Sequence, residues 1–235
     1  MAVIPNLLLA SLPRAAYREL LSDLSPVTLA LGDVLYEPNR PMGHVYFPVG
    51  CLVSLLAKVA GHLELEIGMV GREGMVGIPL ALGTAVSTVR AVVEGNGAAL
   101  RMSRARFLGA LRSSPSLRHG VYRYIQVRME QVMQNAACNR FHELDGRLAR
   151  RLAMTRDRVG SAEFRMTHEH LSSLLGVRRE GVTEAASAFR RQDLIEYSRG
   201  NISILDHRGL EAACCSCYAG GNQGKIGRAS CRERV

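Results

Sequence analysis

No stretch of this chain approaches the roughly 18 consecutive apolar residues of a membrane-spanning helix, and no basic-then-apolar leader opens it, so it reads as soluble, unexported and cytoplasmic. LLLAS near the start is too short for the apolar core of a signal peptide, and the following Pro13-Arg14 marks a helix boundary. Also missing are paired carboxylates, a nucleophile elbow and a phosphate loop at usable spacing, which argues against an enzyme. The HEH at 168–170 is not HExxH, and residues i and i+2 point to different faces of a helix. The CCSC run of Cys214, Cys215 and Cys217 has no second Cys or His pair at zinc-site spacing. No metal or iron–sulfur cluster is therefore expected, and Cys51, Cys138 and the CCSC thiols read as reduced cytosolic cysteines. Lysine is nearly absent too: only Lys58 and Lys225 among 30 basic residues, a bias we attribute to GC-rich coding.

What is present begins with a net charge of +9, which invites a nucleic-acid reading. Its distribution weakens that reading: 13 basic against 9 acidic residues in 1–138, 13 against 11 in 139–219, and 4 against 1 in 220–235. Local clustering matters more, and Arg178, Arg179, Arg190, Arg191 and Arg199 gather in one short stretch. The final KIGRASCRERV matches the translation of a common short-read sequencing adapter, so 220–235 is expected to be a non-native or disordered tail, with adapter read-through from 225. Cys231 and the charge of that tail then carry no functional argument.

Residues 6–24 have helical apolar spacing, giving one or two short helices. From Val27 the runs become short, β-branched or alternating, and punctuated by Gly, Pro and Asn, as in a β-sandwich, roll or barrel. After Pro115 the period is helical again. Leu117, Val121, Ile125, Met129, Val132 and Ala136 draw one stripe along a helix of roughly six turns. That stripe either packs on its own β domain or pairs with a second copy across a two-fold axis. We adopt the pairing, with Val121, Ile125, Met129 and Val132 as the dimer seam and a hinge at Cys138-Asn139. Another Arg-rich amphipathic helix follows over 142–158, with Leu144, Leu148, Leu152 and Met154 inward.

Thr167 can cap a helix containing Leu171, Leu174 and Leu175, which Gly176 stops; a second helix begins just beyond. Leu171, Leu175, Val177, Val182, Ala186 and Phe189 would bury the contact between the two, leaving Arg178, Arg179, Glu180, Thr183 and Glu184 exposed. This is the pattern of a helix-turn-helix. Arginine can fork onto guanine O6 and N7, and glutamate can accept from cytosine N4, so the mixed charges suit base readout. The plainer reading is a solvated face with Glu180 and Glu184 near a positive helix end. Against it, LIEYSRGNISILD alternates around a Gly200-Asn201 corner, a hairpin with Arg199 at its tip able to reach phosphate.

THEHLSSLLGVRREGVTEAASAFRRQDLIEYSRGNISILD resembles the winged helix-turn-helix of the Crp/Fnr family, and the likeness extends to nearly the whole chain as far as Tyr218. The resemblance implies an α+β protein: a cyclic-nucleotide-binding-like double-stranded β-roll (1–114), a long dimerisation helix (115–138) and a winged helix-turn-helix (139–219). It further implies base reading by Arg179, Glu180, Thr183 and Glu184, although Glu184 stands where better-known members carry arginine. Backbone contacts would come from Thr167, His168, Arg178, Arg199 and Asn201. The implied partners are double-stranded DNA with a pseudo-palindromic operator, a second copy of the chain, and RNA polymerase.

Family members that bind cyclic AMP carry a Phe-Gly-Glu segment and then an Arg-Ser pair. Here the chain reads Val70-Gly71-Arg72-Glu73-Gly74, then Thr84 to Thr88 with no arginine before Arg90. A buried cyclic phosphate would lack compensation, so cyclic AMP is not the expected effector, and Arg72, Glu73, Gly74 and Arg90 remain candidate pocket residues with the effector unknown. The alternative to a homodimeric regulator is a signal-binding or scaffold protein whose winged domain makes protein contacts.

Overall fold

The computed structural model describes residues 6–58 and 64–218; the tail set apart above lies outside the described residues. The chain opens with helices α1 (Leu7–Ala10) and α2 (Arg14–Leu20). Strands β1 (Ser25–Leu29), β2 (Val34–Tyr36), β3 (His44–Pro48), β4 (Leu52–Ala57) and β5 (Leu65–Val70) follow, then helix α3 (Ile78–Ala81), β6 (Arg90–Gly95), β7 (Gly97–Ser103) and helix α4 (Arg104–Ser113). These strands form two antiparallel sheets, β1-β7-β3 and β2-β6-β4-β5. Apolar side chains such as Val45, Phe47, Val53, Val70, Val93 and Met102 fill the core between them, in the arrangement of a double-stranded β-roll.

Helix α5 (Pro115–Phe141) crosses this roll, and α6 (Leu144–Val159) starts after a break at His142 and Glu143, both extended. Sequence spacing put the hinge at Cys138-Asn139, but the helix continues to Phe141 and Cys138 is buried in its last turns. The winged domain continues with β8 (Glu163–Arg165), α7 (His168–Leu175), α8 (Arg179–Arg191), β9 (Ile195–Ser198), β10 (Asn201–Ile204) and α9 (His207–Ala213). Its three strands pair antiparallel in the order β8-β10-β9. Among the described residues no helix is long and apolar enough to cross a membrane.

The second core explains the sequence of β4. Strand residues alternate between faces, and LVSLLA is apolar on both. Val53 enters the roll, while Leu52 and Leu56, with Met69 of β5, join Leu148, Leu152, Leu171 and Phe189 under the winged domain. Full burial of each such side chain contributes about 1.5–3 kcal/mol. Charged contacts border the patch: Arg151 Nη2 stands 3.0 Å from Glu66 Oε2, Arg158 Nε donates to Glu73 Oε1 at 2.9 Å, and His170 meets the buried Glu94.

Candidate DNA-recognition site

The turn between α7 and α8 is built from local chemistry. Thr167 Oγ1 accepts the His170 N–H at 3.1 Å and caps α7. Gly176, at φ 64°, ends it: Gly176 N–H reaches Ser173 O and Val177 N–H reaches Ser172 O, the paired bonds of a Schellman motif. Helix α8 then buries Val182, Ala185, Ala186 and Phe189, and Val177 is half-buried beside them. The 3.6-residue period leaves Arg178, Arg179, Glu180, Thr183 and Glu184 exposed. Arg179 makes a contact with Glu169, but at 3.9 Å between two exposed side chains it is weak.

The wing is a two-residue hairpin. Arg199 (φ 50°) and Gly200 (φ 83°) form its turn and Ser198 pairs with Asn201, so the corner lies one residue earlier than Gly200-Asn201. Positive φ at both central positions is the primed turn that matches strand twist. Arg199 is exposed at the tip, and Asn201 is exposed on β10. Gly200 O accepts from Met166 N at 2.7 Å, tying the wing to the approach of α7.

His168 is half-buried, stacked on Tyr197 with ring centroids 4.1 Å apart, and its Nδ1 lies 3.1 Å from Thr183 Oγ1. Burial and then the Arg179 charge lower its pKa below the usual histidine value, and the ring joins α7, α8 and the wing. The Thr183 hydroxyl also donates to Arg179 O at 3.0 Å, and Thr167 is occupied as the cap. The side chains of Arg178, Arg179, Glu180, Glu184, Arg199 and Asn201 are exposed around this framework.

The four candidate effector residues each have surroundings of their own. Arg72 is exposed in an open hollow with Arg156, Ser161 and Glu211. Glu73 is held by Arg158; burial raises its pKa, but Arg158 and the Gly71 N–H outweigh this and hold it below the ordinary value. A Cβ on Gly74 would collide with the Tyr124 ring, whose hydroxyl donates to Met75 O at 3.0 Å. Arg90 is paired with Glu37 at 3.2 Å and Glu64 at 3.4 Å.

The helix stripe divides between two environments. Leu117 and Val121 are fully buried in the roll core, and Ile125 is 9% exposed there, so Val121 and Ile125 cannot form the seam assigned to them. Four residues turn a helix through about 400°, so each step of four rotates the side chain about 40°. By Met129 the stripe has left the core. The outward face is instead Tyr122, Gln126, Met129, Met133, Ala136 and Arg140, with Val132 exposed on its flank.

Local spacing also missed a thiol–imidazole cluster. Cys138 and His142 at the end of α5 meet Cys215 and Cys217 beyond α9, with all four ligand atoms within 4.8 Å of one another. Cys138 and Cys215 Sγ are 3.5 Å apart, and Cys217 Sγ lies 3.4 Å from His142 Nδ1. The expectation that a four-ligand set is unavailable is thus corrected: the fold joins two segments that zinc-finger spacing does not connect. Without a cation, burial pushes the Cys138 thiol up to about 12, with the neighbouring Cys215 and Cys217 adding to the shift against the pull of Arg150.

Residues 146–213 match the family model of the Crp-like helix-turn-helix domain. The chain is similar to a CRP-like cAMP-activated global transcriptional regulator of Mycobacterium tuberculosis, 23% identical over 203 residues, covering 83% of this chain and 91% of that protein. A putative Crp/Fnr-family transcriptional regulator from Eubacterium rectale has the same fold, with a TM-score of 0.68 and 20% identity over 88% of this chain and 96% of that one. So does a c-di-GMP-responsive global regulator from Xanthomonas campestris, at TM-score 0.67 and 16% identity over 83% of this chain and all (100%) of that one. With the Schellman turn, the exposed face of α8 and the wing in place, residues 146–213 form a Crp-like helix-turn-helix domain, and the chain has the fold of the Crp/Fnr-family regulator it is similar to.

Proposed function

We propose that two copies of the chain bind a pseudo-palindromic duplex site, each inserting the start of α8 into the major groove and laying Arg199 of the wing on the backbone. The carrying observation is the face of α8, where Arg179, Glu180 and Glu184 are exposed and unburdened by strong partners next to a two-residue wing. A surface made only for phosphates would not place two carboxylates there. The partner copy docks through the outward face of α5, whose spacing of 4, 3, 4, 3 and 4 from Tyr122 to Arg140 is that of a coiled-coil seam. Arg178 and Asn201 add backbone contacts, while Thr167, His168 and Thr183 hold the reading elements in register.

In this reading the β-roll answers a signal and sets the angle of the winged domains through α5, and the DNA-bound dimer meets RNA polymerase. Cyclic AMP is not that signal: Arg90 is neutralised by two glutamates, Glu73 by Arg158, and Tyr124 occupies the space over Gly74. The test is selection of operators from random duplex DNA by the full chain, followed by gel shifts with competitor. Recovery of an inverted repeat that survives competitor supports the proposal. Enrichment of no motif, with binding abolished by moderate salt, supports the scaffold alternative.

A further inference from the structure

The geometry points to a tetrahedral divalent metal site, of the class that zinc fills, made by Cys138 Sγ, His142 Nδ1, Cys215 Sγ and Cys217 Sγ. Thiolates about 2.3 Å and an imidazole nitrogen about 2.0–2.1 Å from a zinc ion stand roughly 3.5–3.8 Å apart along the edges of a tetrahedron. The pairs Cys138–Cys215 and Cys217–His142 stand at 3.5 and 3.4 Å, at or within about 0.1 Å of the short end of that spacing. An iron–sulfur cluster holds its thiolates on separate irons and spreads them farther than a set lying within 4.8 Å. Three thiolates and one neutral imidazole also suit zinc by ligand softness.

The surroundings support the ligand set. Gln134 Nε2 donates to Cys217 Sγ at 2.9 Å, the outer-shell hydrogen bond a metal thiolate takes. Cys215 N–H donates to Gly146 O at 3.1 Å, and a Cβ on Gly146 would press within 3.1–3.4 Å of Cys215, so the glycine lets the tail reach α6. Arg147 and Arg150 line the cavity that Cys138 borders, offsetting the single net negative charge of three thiolates around a divalent ion. Binding forms three metal–sulfur bonds and one metal–nitrogen bond, and the three thiols release three protons to solvent.

The ligands straddle the His142–Glu143 break, two at the end of α5 and two past the last helix of the winged domain. A metal there would clamp the winged domain to α5 across the joint about which it would otherwise pivot. Cys214 is a built-in control, since its thiol faces Leu210 O at 3.3 Å and lies outside the set.

The experiment titrates the reduced, metal-free full chain with Co²⁺ and then Zn²⁺, alongside metal analysis of protein purified without chelator. The expected result is one equivalent of Co²⁺ with the intense ligand-field bands of four-coordinate thiolate cobalt, displaced by one equivalent of Zn²⁺. Cys138→Ser, Cys217→Ser and His142→Ala should lose these bands, Cys214→Ser should keep them, and Gln134→Ala should weaken binding about 10–100-fold. Absence of four-coordinate bands in the wild-type chain overturns the proposal even if the variants misfold. So does a spectrum unchanged by Cys217→Ser, or one lost equally with Cys214→Ser.

Discussion

Single residues in this chain settle questions that composition leaves open. Arg158 and Glu73 join α6 to the roll through a 2.9 Å ion pair with little exposure, so Arg158→Ala should cost about 3–5 kcal/mol by leaving Glu73 enclosed without its cation. The pH dependence has a definite sign. The folded pKa of Glu73 is lowered from 4.5, so its contribution is fully present above that value and is lost as pH falls through the folded pKa. The stability gap between wild type and Glu73→Gln, read from thermal midpoints, should therefore close on acidification below about pH 4.5 and not on alkalinisation. Arg199 separates strain from function. It holds φ 50° on the wing, where glycine is at ease, so Arg199→Gly should leave stability unchanged or raise it by up to about 1 kcal/mol. The same change removes the proposed phosphate contact, so binding should weaken on all sequences alike, with a salt slope shallower by about one ion per half-site.

Elements show where sequence reasoning succeeds and where it stops. The roll and the winged helix-turn-helix were legible because each repeats a local rule: period two in the strands, and a capping Thr167, a stopping Gly176 and a tight hairpin in the winged domain. The seam of α5 was not, because a stripe stepping mostly by four looks continuous on paper yet rotates off the core between Ile125 and Met129. The metal-binding candidates escaped for a related reason, since Cys138 and His142 meet Cys215 and Cys217 only through the tertiary fold. The proposed seam makes a sharp prediction. Met129→Asp with Met133→Asp, at positions 60% and 61% exposed in one chain, should give a folded monomer by sedimentation and circular dichroism. Ile125→Asp should instead unfold the roll, because it places a charge in that domain's own core. A Met129/Met133 variant that stays dimeric would remove this face from the interface.

At the scale of the whole molecule, the roll, the long helix and the winged domain form one mechanical chain, with α6 and α7 packed on the outer face of β4 and β5. In the proposed function a signal acts on that packing, and titration of the full chain with cyclic AMP should give no saturable heat at micromolar concentration; such heat would show that a site rearranges to accept the phosphate. The central claim is that α8 reads sequence, and Glu180 tests it most directly because attraction and readout predict opposite outcomes. Arg179→Ala should cost about 1–3 kcal/mol per half-site and relax preference at one base pair. In a dimer that relaxation appears twice, about one helical turn apart. Affinities of wild type and Glu180→Ala are to be measured across a set of single-base operator variants. The account predicts that the variant changes which base is preferred at one position in each half-site; Glu180→Ala binding every operator more tightly by one common factor would contradict it.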